Sequence, residues 1–212
     1  KGHILIRGYE GKKRVEQKIK LQPSLFIESD KPSKYQNVFG QNVEKIDFNS
    51  TFDCRSYIKE NDYKKIYGMT TYQYPHINQQ FPGQMDFRYE YISIVNIDIE
   101  TRADSGFPDI QKADKEITAI TLMKGNKIIA LGCRDFTTDN PNTLYIKCEN
   151  EKQLLLKFIE IWTSREFSPD IVTGWNIKYI NISYIVNRIS KILGREYGEE
   201  LSPWGKKKKK SI

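Results

Sequence analysis

The sequence predicts an α/β (α+β) protein in which a small, mixed, β-rich N-terminal domain precedes a mixed sheet with helices packed on it. Three observations carry this prediction. Residues 3–28 hold strand-like segments around a glycine turn, and residues 91–133 hold three strand-like segments in close succession. Residues 150–193 then bring a helix, a short strand and a second helix. Hairpin-linked strands followed by strand–helix units make a mixed sheet, because parallel neighbours need a long crossover whereas antiparallel ones need only a tight turn.

In order along the chain, "HILIRGYEGKKRVEQKIKLQPSLFIES" supplies Val15, Ile19 and Leu21, then Leu25, Phe26 and Ile27, as apolar residues for a sheet. Gly11 lets the "YEGKK" turn adopt a positive φ. Residues 30–40 are loop-rich, with Pro32, Ser33 and Gly40. "TFDCRSYIKE", residues 51–60, reads as a short helix starting near Thr51. Residues 69–91, "MTTYQYPHINQQFPGQMDFRYEY", are dense in aromatics. Tyr72, Tyr74, Phe81, Phe87 and Tyr89 either stack on bases, as in single-strand binders, or pack a linker against its neighbouring domain. Pro82-Gly83 marks a turn, and the domain boundary is placed near residue 90. This gives domains at 1–90 and 91–205 and a basic tail at 206–212.

The second domain has the more regular pattern. Residues 91–100, 116–124 and 127–133 read as strands, the last two joined by the "KGNK" turn. Residues 150–165 place Leu154, Leu155, Phe158, Ile161 and Trp162 on one helical stripe. "DIVTGW" at 170–175 is a short strand. In the helix over 179–193, Ile182, Ile185, Val186, Ile189 and Leu193 share a face, with Gly194 as its C-terminal stop.

Composition narrows the function. Aromatics at 12% within 38% hydrophobic residues suit a globular chain. Its apolar runs fall far short of the roughly 18–20 residues of a membrane span. The net charge of +7 belongs mostly to the five lysines at 206–210. Residues 1–90 carry fifteen Lys/Arg against eleven Asp/Glu, and residues 91–205 fourteen against sixteen. A lysine tail attracts phosphates without sequence preference, or is simply a solvated terminus. Cys54, Cys133 and Cys148 are scattered and form no CxxC pair, which argues against zinc or a disulfide framework and suits a reducing compartment. With only His3 and His76, histidine-based triads and histidine-rich metal sites are disfavoured. Lys1 stands at the start with no visible signal peptide, and the expectation is a fragment or trimmed product.

The chemistry centres on "SIVNIDIETRADSGFPD", residues 93–109. Successive strand residues face opposite ways, so Val95, Ile97 and Ile99 share one face while Asp98 and Glu100 stand together on the other, their Cα atoms roughly 6.5–7 Å apart. On a solvent face they are ordinary surface charges; on a covered face they repel each other and require a cation. They lie at a strand end, where open α/β sheets bind ligands.

"NIDIETRADSGFPD…EITAIT" and "VTGWNIKYINISYIVNRI…LSPWGK" resemble the N-terminal and 3′–5′ exonuclease regions of family B DNA polymerases, most of all those of T-even-type bacteriophages. "QPSLFI" near residue 25 is similar to the same family's N-terminal domain. The resemblance covers nearly the whole chain. It implies a ribonuclease H-like fold for the second domain and a proofreading role within a phage replicative DNA-directed DNA polymerase in the host cytoplasm. DNA, as a single-stranded 3′ end, is the implied substrate. The implied partner is the remainder of the polymerase or a separate subunit, with no membrane involved.

The resemblance further implies that Asp98 and Glu100 are catalytic metal ligands that help hold two Mg²⁺ (or Mn²⁺) ions at the scissile phosphate. Hard cations of this kind prefer carboxylate oxygens, and a pair about 4 Å apart stabilises both the attacking and the leaving oxygen. Asn181 matches the position of a further catalytic aspartate, and replacing that acid leaves the site one charge short. Asn176 matches the motif's own asparagine and either contacts substrate or is a turn residue. Gly174 is expected to permit close backbone approach near the substrate, and Trp175 is expected to pack. A third motif, a tyrosine a few residues before an aspartate, finds no match at Tyr184 or Tyr197. The expectation is therefore feeble or absent hydrolysis by this chain alone. The alternative is a non-catalytic subunit of a split polymerase that binds nucleic acid and docks on its partner.

Overall fold

The computed structural model describes residues 2–11, 13–61, 65–84, 88–102, 104, 106–178 and 180–204. The chain forms two compact units, Lys1–Phe87 and Arg88–Ile212.

In the first unit, strands β1 (His3–Glu10) and β2 (Lys13–Lys20) pair antiparallel from His3↔Lys20 to Glu10↔Lys13. Gly11, at φ +59°, closes the hairpin in a conformation that L-residues with a Cβ resist. A second sheet follows in the order β4-β5-β3-β6, from β3 (Ser24–Glu28), β4 (Tyr35–Gln36), β5 (Asn42–Asp47) and β6 (Ile66–Tyr67), with every pairing antiparallel. Helix α1 (Thr51–Glu60) begins where the sequence predicts, because Ser50 Oγ accepts the Asp53 amide at 3.1 Å. Leu21, Leu25, Cys54 and Tyr72 form the buried core of this unit. The aromatic segment contains a helix that periodicity did not reveal, α2 (Gln73–Gln80). Tyr72 is buried, whereas Tyr74, Phe81 and Tyr89 are exposed. Phe87 lies outside the described residues, as does the lysine run at 206–210.

The second unit is built on a five-stranded sheet in the order β10-β9-β8-β7-β11. Strands β7 (Ile94–Thr101), β8 (Ile117–Lys124) and β9 (Lys127–Gly132) run antiparallel in sequence, as expected. Strand β10 (Thr143–Lys147) adds parallel to β9, and β11 (Ile171–Thr173) adds parallel to β7. Sequence reading missed β10, a five-residue strand on the sheet edge with Leu144 half-exposed. Val95 and Ile97 of β7, Ile120 and Leu122 of β8 and Leu131 of β9 are fully buried. They meet Leu154, Leu155 and Phe158 of helix α3 (Glu151–Thr163) and Tyr184, Ile185 and Ile189 of helix α4 (Asn181–Ile192). Alternation along β7 has thus sorted its residues, sending the aliphatic ones to the helices and leaving the acids opposite. Helix α4 ends at Ile192, just before Gly194 at φ +122°, and a short helix α5 (Arg195–Glu200) follows.

Candidate active site

Strand β7 presents Asp98 and Glu100 on the sheet face away from the helices, and both carboxylates are exposed. Of the two arrangements the sequence allowed, the structure has the open one: among the described residues nothing roofs the pair. The β7–β8 register shifts between Glu100 and Thr101, so the second acid sits at an irregularity of the kind that re-aims side chains at strand ends. Glu100 also borders a groove of about 710 Å³. The small residues Ala119, Thr121, Ala130 and Gly132 leave that groove open along β8 and β9, with Arg134, Phe136 and Tyr145 among its further walls.

Asn181 opens α4 and is only 5% exposed. From the first turn of the helix it reaches Asp98, donating from Nδ2 to Asp98 Oδ1 at 3.1 Å. The same nitrogen lies 3.2 Å from Trp175 O and 3.5 Å from Ile97 O. What brings it there is the turn at 174–180. Gly174 sits so close to β7 that an added Cβ would stand 2.4 Å from Ile97 O, so the close approach expected of this glycine is made to the acid-bearing strand. Asn176 adopts φ +49°, a conformation Asn tolerates better than most residues, and its carbonyl accepts the Ile180 amide at 2.9 Å. It is exposed and serves this turn. Trp175 corrects the sequence expectation: it does not pack, but stands 85% exposed in the turn whose Gly174 abuts β7.

Helix α4 also fixes the segment that leaves β7. Asn187 Nδ2 donates to Ile110 O at 2.8 Å and Arg188 Nη1 to Ala113 O at 2.8 Å. The Tyr184 hydroxyl donates to Lys115 O at 2.6 Å and accepts the Lys115 amide at 2.8 Å. Ala113, held at φ +43°, is buried under this grip. Behind it, Arg188 and Glu151 form a two-pronged ion pair, both bonds 2.7 Å, with each side chain 10% exposed. Glu151 also accepts the Ile117 amide at 2.7 Å, which ties α3 and α4 to the start of β8. Hydrogen bonding to that carboxylate holds the Arg188 pKa above its ordinary value. Within the segment, the Lys112 amide, then that of Gln111, lowers the Asp109 pKa, and the Asp109 amide lowers that of Asp114. Sequence reading missed this network, because Glu151 looks like an ordinary first-turn acid and Arg188 like a solvated helix residue.

The donor set does not fit a two-ion centre. Among the described residues no group of three His, Cys, Asp or Glu side chains is placed to hold one ion. Two exposed carboxylates and an amide that offers its nitrogen set only two negative charges against the four positive charges of a close pair of such ions.

The sequence model for the exonuclease domain of family B DNA polymerases matches residues 40–212. The chain belongs to that family. Across its full length it is 28% identical to the DNA-directed DNA polymerase of Enterobacteria phage T4, and over 95% of its length it is 25% identical to that of Escherichia phage RB69. It spans about a quarter of each relative, 27% and 26% respectively. The phage family B resemblance read from the motifs therefore holds. Exonuclease domains of this family generally use divalent metals. Among the described residues no helix is long and apolar enough to cross a membrane.

Proposed function

We propose that this chain is the N-terminal and proofreading portion of a phage replicative DNA polymerase, and that its second unit receives a single-stranded 3′ end of DNA at Asp98, Glu100 and Asn181. The observation that carries this reading is the convergence of Asp98 and Asn181 at 3.1 Å, with the backbone carbonyl of the 85% exposed Trp175 3.2 Å from the same Asn181 nitrogen. An exposed indole at a phosphate-processing site offers a face on which a terminal base can stack, whatever its sequence. The carboxylates would accept hydrogen bonds from the terminal sugar's hydroxyl, and the exposed Asn176 lies one residue from that indole. The rest of the polymerase, as a continuing chain or as a partner subunit, would deliver the strand.

Hydrolysis by this chain alone is feeble or absent, because Asn181 supplies no charge where the family motif has an acid. This favours holding a strand end over cutting it, which is also what a docking subunit of a split polymerase would do. The test is to incubate the full chain with 3′-labelled and 5′-labelled single-stranded oligonucleotides, measuring binding by anisotropy and nucleotide release in Mg²⁺ and in Mn²⁺. Binding that responds to the 3′ end, with release near background, supports the reading. Rapid release would overturn the feeble-hydrolysis part, and absence of binding would overturn the whole.

A further inference from the structure

We infer that the Asn181 side-chain amide takes the place of a cation, so that this chain assembles its acid site without a metal ion. The inference rests on the strand-end reading above only for the class of ion displaced, a divalent cation such as Mg²⁺ or Mn²⁺. Nδ2 of Asn181 is surrounded by three oxygens: Asp98 Oδ1 at 3.1 Å, Trp175 O at 3.2 Å and Ile97 O at 3.5 Å. Two of the three are backbone carbonyl oxygens and the third is a carboxylate oxygen, all of them acceptors, so the amide has to present its nitrogen. Turned over, it would set its own carbonyl oxygen against three others in a position only 5% exposed.

Three converging oxygens from β7 and the 174–180 turn are the surroundings a hard cation seeks. The –NH₂ group brings two hydrogens and partial positive charge to that place, enough for the two shorter contacts. A carboxylate at 181 would instead add a fourth oxygen, carrying charge, to the same cluster. That arrangement holds together only with a positive ion among the oxygens. Asn181 thus removes a ligand and in addition fills the position with a fixed donor, so the local fold no longer depends on metal.

Thermal denaturation of the full chain in EDTA and in millimolar Mn²⁺ or Mg²⁺ tests this with no DNA present, so its outcome is separate from that of strand binding. The wild type is expected to melt at the same temperature in both conditions, within about 1 °C. Asn181→Asp is expected to melt several degrees lower in EDTA and to recover with the ion, at a Mn²⁺ affinity about ten-fold or more above wild type. Should Asn181→Asp not fold, Asn181→Ala serves, since it keeps the three oxygens and removes the donor. It is expected to lose stability in EDTA and regain part of it with Mn²⁺, and adding Asp98→Asn is expected to abolish that recovery. The inference is overturned if the ion stabilises the wild type as much as the variants, or if neither variant responds to it.

Discussion

Replacing Glu151 by Ala should destabilise the second unit by about 3–5 kcal/mol, the range for removing one partner of a buried ion pair. The structure shows why the upper half of the usual mutational range applies. The carboxylate accepts three hydrogen bonds, from Arg188 Nε, Arg188 Nη2 and the Ile117 amide, each at 2.7 Å. Its loss leaves a guanidinium that is 10% exposed with only the Ala113 carbonyl, and it frees the first amide of β8. For a unit of this size the loss corresponds to a melting shift of about 10–20 °C. Calorimetry on the full chain, following the transition that belongs to the second unit, reads it directly. Glu166→Ala, which removes the exposed Lys127 pair, is the control and should cost about 0–1 kcal/mol. The double replacement Glu151→Leu with Arg188→Met should recover much of the loss, since the penalty is chiefly that of stranding one charge. A Glu151→Ala protein within about 1 kcal/mol of wild type would refute the claim that this pair holds α3, α4 and β8 together.

Other outcomes are expected. Gly174→Ala places its Cβ 2.4 Å from Ile97 O and should cost about 1–3 kcal/mol, seen in denaturant titration, with amide shifts at Ile97 and Asp98 by NMR. Trp175→Ala should weaken single-strand binding about ten-fold with little change in stability, read by anisotropy, and Trp175→Phe should retain most of the affinity. Asp109 and Asp114 have pKa values below the ordinary 3.8, so what they contribute to the 109–114 turn is complete above that pH and is lost as the pH falls through their lower folded values. Hydrogen exchange at the Gln111 and Lys112 amides should therefore accelerate, beyond the intrinsic pH effect, only in that acid range.

Much of the second unit could be read from the sequence because its signals are local. The period-two run of β7, the stripe of α3 and the Gly194 stop each depend on residues within one element. Asp98 and Glu100 could be paired on one face by the same alternation. What sequence reading could not supply depends on partners far along the chain. Strand β10 is short and lies on an edge, and α2 carries Pro75 and buries no residue, so it has no apolar stripe to read. The ion pair joins positions 151 and 188, which no spacing rule connects. Trp175 differs from the expectation for a related reason: an apolar residue beside a strand usually packs, but this one follows a glycine docked on β7 and stands exposed. That Asn181 would lie near Asp98 followed from motif resemblance, but that it would offer its nitrogen follows only from the three oxygens around it.

One rod spans two tasks here. The first residue of α4 touches the acid strand, while residues one and two turns later hold the stretch by which the chain leaves that strand. A sideways shift of the helix would disturb both together, so drift in length should be poorly tolerated at 110–115 and readily absorbed at 106–108, where Phe107 is 99% exposed. Insertions or tags introduced for experiment belong at the latter place.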